Sequence, residues 1–431
     1  MGARGGPGEF RAFRLVWGLQ QKTRMDTRQA LGRGVRGATL AVVVLTAGGA
    51  LGQRVEPSAT TPIFQRSAPP PAVKAIATGA RHTCAVVGDD GRVMCWGQNT
   101  DGQLGDGTMT SRTKPAFVLA LSGARELAVG STFSCALLTS GNVMCWGRLP
   151  GRPVAPTFVS GLAGVRQLAA GAGHACALVS DYSVRCWGEN AFGQVGDGAK
   201  QPALTPVAVP GVTRVMDLTL GWQHSCALVP GGTVKCWGAI TDGQLGNALV
   251  PLGPSSGSAT PVDVTGLAGA TAIAGGAAHT CAIVAGGVRC WGANGDGQLG
   301  DGSHTPSTAP VVVPGLAGAQ KIAAGRAEVC VLVNGRGVQC WGWFGPTITE
   351  GLIHRPMLAP TKVMEASTNA ELIGARDIAS GGGHACVVRT DSTALCWGNN
   401  VDGELGAPTG TCGAPRDAYA CSRAAIPIVW P

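Results

Sequence analysis

The spacing of the sixteen cysteines points most directly to chemistry. Fourteen of them form seven units, in which a Cys followed by two apolar residues precedes a Cys-Trp-Gly string by about ten residues. Cys412 and Cys421 lie at a similar separation near the end of the chain. Pairs of this kind could ligate a metal, remain as buried thiols or form disulfides, and the geometry of the surrounding chain favours the last of these.

The cysteines of a unit flank a short turn between two predicted strands. Cys84 and Cys95 surround Asp89-Asp90, and Cys135 and Cys145 surround Thr139-Ser140-Gly141. Directly opposed residues of an antiparallel hairpin have Cα atoms roughly 4.5–5.5 Å apart, which suits a disulfide. Zinc sites usually use Cys-x-x-Cys turns, and the sequence has none. We therefore predict eight local disulfides: Cys84–Cys95, Cys135–Cys145, Cys176–Cys186, Cys226–Cys236, Cys281–Cys290, Cys330–Cys340, Cys386–Cys396 and Cys412–Cys421.

Other recurring polar residues could suggest metal binding or acid–base catalysis. Five units carry a histidine two residues before their first cysteine: His82, His174, His224, His279 and His384. A residue repeated within a structural unit is more typical of a hydrogen bond that the fold itself needs. Four aspartates lie near glycines in a pattern faintly like a calcium loop, but they lack a complete acidic ligand set, so turn formation is favoured: Asp101, Asp106, Asp296 and Asp301. We expect no metal and no cofactor.

The units recur every 41 to 56 residues, a period typical of a propeller blade. Within one unit, residues 310–313 and 320–324 each read as a strand, while residues 279–284 and 288–291 read as a hairpin around a glycine turn. The sequence predicts an all-β fold for residues 73–431, a seven-bladed propeller with four antiparallel strands per blade. We expect a C-terminal strand at residues 426–429 to complete the first blade and close the ring; residues 61–64 are a rival for that place.

The chain before the first unit has a different character. A basic stretch precedes an apolar run over residues 38–51, which is short for a membrane span and typical of a secretory signal. We interpret residues 1–24 as an upstream extension of the gene model, residues 25–52 as a signal peptide, and residues 53–72 as a Pro-rich linker. An uncleaved N-terminal anchor is the alternative. The prediction is a periplasmic, surface-held or secreted protein with no membrane span in the mature chain.

The formal net charge of +8 is concentrated in this leader. Residues 1–52 contain eight Lys or Arg and two acidic residues, so the remainder holds 25 basic and 23 acidic residues. A nucleic-acid-binding protein would concentrate positive charge in its folded part. Nucleic acid is therefore not an expected partner.

The loop after the Cys-Trp-Gly string carries a family resemblance. Residues 96–107 read WGQNTDGQLGDG and residues 291–302 read WGANGDGQLGDG, with Gly-Gln-Leu-Gly or a variant at residues 193–196, 243–246 and 403–406. These units resemble the repeat of the regulator-of-chromosome-condensation family, and the resemblance implies seven blades. Two units depart from it: they lack this loop after Trp146 and Trp341, and they replace the histidine with Phe133 and Glu328.

The resemblance and the export signal together suggest an exported, bacterial, non-catalytic scaffold that binds an unknown protein through loops on one propeller face, as a monomer. A secreted bacterial β-lactamase inhibitor shares this architecture, so enzyme inhibition is one form of that role. The loops that diverge most are residues 247–259, 343–372 and 406–425, and Trp343 and Phe344 are candidate partner contacts, or else they fill the space of a missing loop. The alternatives are guanine-nucleotide exchange on a small GTPase and an enzyme with its site in the central channel.

Overall fold

Seven antiparallel sheets form the part of the chain that the structure describes. The computed structural model describes residues 69–150, 154–248, 256–345, 356–412 and 419–431. The predicted upstream extension, signal peptide and most of the linker lie outside these residues. Each sheet has four strands in chain order, and the seventh carries one short additional strand. The prediction of an all-β, seven-bladed propeller with four-stranded antiparallel blades is confirmed.

The strands of each blade run from the innermost, which lies beside the propeller axis, to the outermost. Blade 1 comprises Val73–Thr78, His82–Val87, Arg92–Gly97 and Arg112–Phe117; blade 2 comprises Ala124–Val129, Phe133–Leu138, Val143–Gly147 and Thr157–Phe158; blade 3 comprises Gln167–Ala170, His174–Leu178, Val184–Gly188 and Ala203–Ala208; blade 4 comprises Asp217–Leu220, His224–Val229, Thr233–Ala239 and Gly257–Asp263. Blade 5 comprises Ala270–Gly275, His279–Val284, Gly287–Gly292 and Ser307–Val312; blade 6 comprises Lys321–Ala324, Glu328–Val333, Gly337–Gly342 and Met357–Lys362, with a 3-10 turn at Asn334–Arg336; blade 7 comprises Ala375–Ser380, His384–Arg389, Ala394–Asn399 and Tyr419–Pro427, with Thr411–Cys412 as its extra strand.

The core lies between blades and not within them. Each of seven apolar clusters combines residues from two neighbouring blades; for example, Val86, Cys95 and Leu104 of blade 1 pack against Leu127 and Trp146 of blade 2. The second strand of a blade is therefore covered on both faces, which explains the apolar run from Cys84 to Val87 and the complete burial of this strand in blade 1. The outermost strand is more exposed: in blade 1 only Pro115 of Arg112–Phe117 is buried.

The prediction that a C-terminal strand completes the first blade is wrong. Tyr419–Pro427 pairs with Ala394–Asn399 as the outermost strand of blade 7, and blade 1 draws all four strands from residues 73–117. The C-terminal strand ends its own blade, as the outermost strand does in each of the other six. Side chains close the ring instead: Ile428 and Trp430 join the cluster between blades 7 and 1, where Trp430 meets Trp96 edge to face at 6.0 Å.

A second device closes the ring at one mouth of the channel. In each blade, a glycine follows the innermost strand, and the residue after that glycine donates its backbone N–H to a backbone carbonyl of the next blade. The seven donors, which we call the belt residues, are Ala80, Ser131, Ala172, Trp222, Ala277, Arg326 and Gly382, at N···O distances of 2.6–3.3 Å. The preceding glycine permits this close approach: a Cβ on Gly79 would lie 2.3 Å from the Gly130 carbonyl oxygen.

Candidate interaction face and the junctions that support it

The cysteines of each blade face one another across the second and third strands. Cys84 pairs with Cys95 in the strand register, and the other six units repeat this arrangement. Their Cα atoms are 4.1 Å apart, and seven pairs are bonded in the structure. Cys421 is also disulfide-bonded, while the side chain of Cys412, its predicted partner, lies outside the described part. The half-cystines of the blades are fully or almost fully buried, so these bonds belong to the core.

The repeated histidine makes a hydrogen bond to the next blade. His82 Nε2 lies 2.8 Å from Ser134 Oγ, and the same pair recurs as His174–Ser225, His224–Thr280 and His384–Thr83 at 2.8–2.9 Å. The histidines are fully buried, and burial lowers the pKa of each of these four imidazoles to about 3. They are therefore neutral near pH 7 and serve the fold.

The hydroxyl that meets the histidine also contacts the Gly-Gln-Leu-Gly loop of the preceding blade. Ser225 Oγ donates to the Gln194 backbone carbonyl at 2.9 Å, and Trp237 Nε1 donates to the same oxygen at 2.9 Å. Ser225 donates its only hydroxyl proton to the Gln194 carbonyl, so it can only accept from the histidine. His174 Nε2 must therefore be protonated and donate to Ser225 Oγ. We call this set of histidine, hydroxyl, loop carbonyl and tryptophan the interblade latch.

The latch explains the residues that recur in the sequence. Gly105, the second glycine of the first loop, has a φ of +66°, and a Cβ there would lie 2.8 Å from Trp146 of the next blade. Asn99 fixes the same loop by accepting from the Leu104 N–H at 3.0 Å and donating to Asp106 at 3.1 Å. Asp106 also caps the backbone N–H of Thr108 at 3.0 Å, which is turn chemistry. Among the described residues, no group of three or more His, Cys, Asp or Glu side chains could hold a metal.

The junction between blades 2 and 3 lacks the latch altogether. Blade 2 has lost the loop and carries Phe133 in place of the histidine, and blade 3 carries Ala175 where the hydroxyl would stand. Phe133 instead packs in the apolar cluster beside Ala175 and Trp187. Trp187 Nε1 is buried without an acceptor among the described residues. The three latch groups are thus lost together.

Blade 6 interrupts the pattern on both of its sides. Towards blade 5, Val329 replaces the hydroxyl, so His279 Nε2 is buried without a partner in the described part, although Trp341 still donates to the Gln298 carbonyl at 2.9 Å. Towards blade 7, Glu328 replaces the histidine and accepts hydrogen bonds from the backbone N–H groups of Ala327 and Gly383, both at 3.0 Å. Burial raises the pKa of the Glu328 carboxyl to about 8.

One end of the propeller, the loop face, carries the connections from first to second and from third to outermost strand. The antiparallel order of every blade puts both connections at the same end. Each of the three divergent stretches predicted from sequence overlaps a connection from third to outermost strand, whose described ends lie on this face. Residues 363–372 of the second stretch follow the outermost strand of blade 6 and lie at the opposite end. Parts of the three stretches, residues 249–255, 346–355 and 413–418, lie outside the described residues.

The two aromatic residues predicted as partner contacts are only half-exposed. Trp343 and Phe344 follow the third strand of blade 6, and Phe344 packs against the cluster between blades 6 and 7. Sequence reasoning missed a more accessible aromatic residue: Trp222, a belt residue at the centre of the loop face, is 38% exposed. The signal was available, because Trp222 stands where five other units carry Ala, Ser or Gly.

The innermost strands line a channel with small and apolar side chains. Its described lining includes Ala77, Val129, Ala170, Leu220 and Ala324. No helix among the described residues is long and apolar enough to cross a bilayer.

These features define a class: seven-bladed propellers whose blades are joined through a Trp-Gly…Gly-x-x-Gly loop. The model of the RCC1-like domain matches residues 28–326, and that of the regulator of chromosome condensation (RCC1) repeat matches residues 375–404. The chain belongs to the RCC1-like domain family.

At the level of sequence, related proteins align with only part of this chain. Human E3 ubiquitin-protein ligase HERC2 is 43% identical over 82 residues, which are 19% of this chain and 2% of that protein. Mouse RCC1 domain-containing protein 1 is 35% identical over 91 residues, 20% of this chain and 23% of that protein. The chain thus matches less than a quarter of the length of either relative.

Two solved structures share the fold over most of the chain. Prp20p from Saccharomyces cerevisiae, described with its binding properties to Gsp1p and histones, superposes with a TM-score of 0.62 at 21% identity, covering 72% of this chain and 80% of its own. Human WBSCR16 gives a TM-score of 0.63 at 20% identity, covering 79% and 95%.

Proposed function

We propose that this chain is an exported, non-catalytic scaffold that binds a protein partner through the loop face. This proposal rests mainly on the observation that each of the three divergent stretches overlaps a connection from third to outermost strand on this face, while the recurring residues of the repeat form the interblade latches. A rigid scaffold with variable loops at one end is suited to evolving a specific contact.

The state of the histidines and the lining of the channel support a non-catalytic role. Four of the five repeat histidines are hydrogen-bonded between blades, and all five have a strongly lowered pKa because they are buried. The described pocket between the innermost strands has small, largely apolar lining residues without an acidic side chain or imidazole, so this pocket offers no general acid or base for the channel-enzyme alternative. The innermost-strand carboxylates Glu126 and Asp217 lie outside this lining and accept hydrogen bonds from Leu168 and Gln167.

The cysteines support export, because buried disulfides repeated in every blade require an oxidising compartment. Intact mass spectrometry of native material before and after reduction tests this. All sixteen cysteines paired would give a gain of about 16 Da on reduction. An unchanged mass, together with a retained leader, would contradict export.

The binding face is tested by capture with matched double variants of the full chain. Met109 and Val401 are 54% and 52% exposed on the loop face; Leu119 and Met216 are 54% and 60% exposed on the opposite face. Arginine at both loop-face positions should abolish capture of a crosslinked partner from the native host, and arginine at both opposite positions should leave it intact. The reverse pattern would refute the proposal.

Guanine-nucleotide exchange is the competing proposal, and the similarity of fold to Prp20p motivates it. A nucleotide-release assay with a Ran-type GTPase separates the two. Stimulated release by the full chain would replace the scaffold proposal, whereas an unchanged release rate supports it.

A further inference from the structure

Most belt residues at the centre of the loop face have small side chains. Their backbones approach those of the next blade closely, and five of the seven side chains are small: Ala80, Ser131, Ala172, Ala277 and Gly382. Those five blades join the belt without any long side chain. Trp222 and Arg326 are therefore not needed to close the ring, and their side chains call for another explanation.

The two long belt side chains lie against each other over the channel mouth. The Arg326 guanidinium carbon is 6.0 Å from the centroid of the Trp222 ring, within the range of a cation–π contact. Together with Arg81, Asn399 and Val401 they line an open pocket of about 290 Å³. Such a pocket fits a single amino-acid side chain and its neighbour rather than an extended ligand.

The pocket is electropositive. Arg326 has no ion pair with an acidic side chain among the described residues, so its planar donors on the pocket side are available. Arg81 lies 3.3 Å from Asp402, which is itself only 21% exposed. Glu404 lies behind Asn399, which donates to its carboxyl at 2.7 Å, and burial raises the pKa of Glu404 to about 7. Two guanidinium groups therefore face one ionised carboxylate and one partly protonated carboxyl. Guanidinium donors bind carboxylates through paired, charge-assisted hydrogen bonds, and the Trp222 ring offers an apolar surface beside them.

We propose that Arg326, Arg81 and Trp222 form an anchor pocket for an Asp or Glu side chain of a protein partner, with the partner's neighbouring apolar residue packed on Trp222. This inference rests on the proposed function, because it names the chemistry of the partner group that the loop face takes. The arginines supply attraction and orientation, and the indole supplies the buried contact area that an anchor residue needs.

The test uses NMR spectra of the indole N–H groups of the full chain. The indole signal missing from the Trp222→Phe spectrum identifies Trp222. The probe is the octapeptide Gly-Ser-Glu-Leu-Glu-Leu-Ser-Gly at concentrations up to about 10 mM, a range that detects even millimolar binding. Its control is the same peptide with Gln in place of both Glu residues.

We expect the acidic peptide to shift the Trp222 signal and the amide peptide to leave it in place. Arg326→Gln should weaken the binding about tenfold or more, since it removes charge-assisted hydrogen bonds. Arg214→Gln, a change at an exposed arginine on the opposite face, should have no effect. Higher salt should weaken the shift.

An unmoved Trp222 signal, equal shifts with both peptides, or an unaffected Arg326→Gln variant would each overturn this site. These outcomes are separable from failure of the scaffold proposal. Loss of peptide binding with partner capture retained through the loop face refutes only the anchor pocket. Peptide binding without any partner capture refutes only the scaffold role.

Discussion

Replacing Thr280 with valine should destabilise the propeller strongly, although it changes the shape of the side chain very little. Thr280 Oγ1 lies 2.8 Å from His224 Nε2 and donates to the Gln244 carbonyl at 3.0 Å. Valine keeps the packing volume and removes both hydrogen bonds. The His224 imidazole would then keep a buried N–H with no acceptor, since its Nδ1 is already without a partner in the described part.

The expected loss follows from these contacts. Two buried hydrogen bonds contribute about 1 kcal/mol each, and an unsatisfied buried donor costs about 1–3 kcal/mol more, although the two terms partly overlap. Losing the bond to the Gln244 carbonyl costs less, because that carbonyl still accepts a hydrogen bond from Trp291 Nε1 at 2.9 Å. We therefore expect Thr280→Val to lower the free energy of unfolding by about 2–4 kcal/mol.

Denaturant unfolding of the oxidised protein, followed by tryptophan fluorescence and far-UV circular dichroism, measures this change. A second variant, His224→Phe, places phenylalanine at the histidine position, as blade 2 does naturally with Phe133 opposite Ala175. In the His224→Phe background, Thr280→Val should cost at least about 1 kcal/mol less, because the orphaned imidazole is gone. A cost below about 0.5 kcal/mol in the wild-type background, or strict additivity of the two changes, would refute the latch as a source of stability.

Three other predictions follow from the irregular junctions. Val329→Thr supplies the missing hydroxyl beside His279 and should raise the unfolding free energy by about 1 kcal/mol; a clear loss would contradict it. Trp237→Phe should cost about 1 kcal/mol more than Trp187→Phe in the same assay, since only Trp237 donates a hydrogen bond; equal costs would argue against this account. The raised pKa of Glu328 predicts stability that is fully present below about pH 4.5 and declines as pH rises towards about 8, by at most about 1.4 kcal/mol per pH unit. Glu328→Gln should remove this slope, and identical pH profiles would contradict the assignment.

Much of the fold follows from local patterns. The period of the Cys-Trp-Gly string sets the number of blades, and the spacing from Cys84 to Cys95 places them opposite each other in the hairpin, as the strand register has them. These features depend on residues close together in the chain, where hairpin geometry leaves few choices. The turn role of Asp106 is local for the same reason.

Contacts between blades were harder to infer, because their partners lie about 30 to 320 residues apart. The repeat makes His82 conspicuous, yet its partner Ser134 lies 52 residues on, and Thr83 meets Glu404 across the closing junction. The place of the last strand was misjudged for a related reason: one repeat unit reads equally well with its outermost strand at the start or at the end. Only the pairing of Tyr419–Pro427 with Ala394–Asn399 decides it.

The sequence by itself determined the all-β class, the seven repeats, the local cysteine pairs and the residues that would recur in every blade. The tertiary structure decided how the ring closes, which polar groups are consumed at the junctions, and that Trp222 and Arg326 meet over the channel mouth. The physical reason is that a repeat encodes each blade through short-range periodicity. The loop face, in contrast, is assembled from two connections in each of seven blades, and these connections come close together only once the ring has closed.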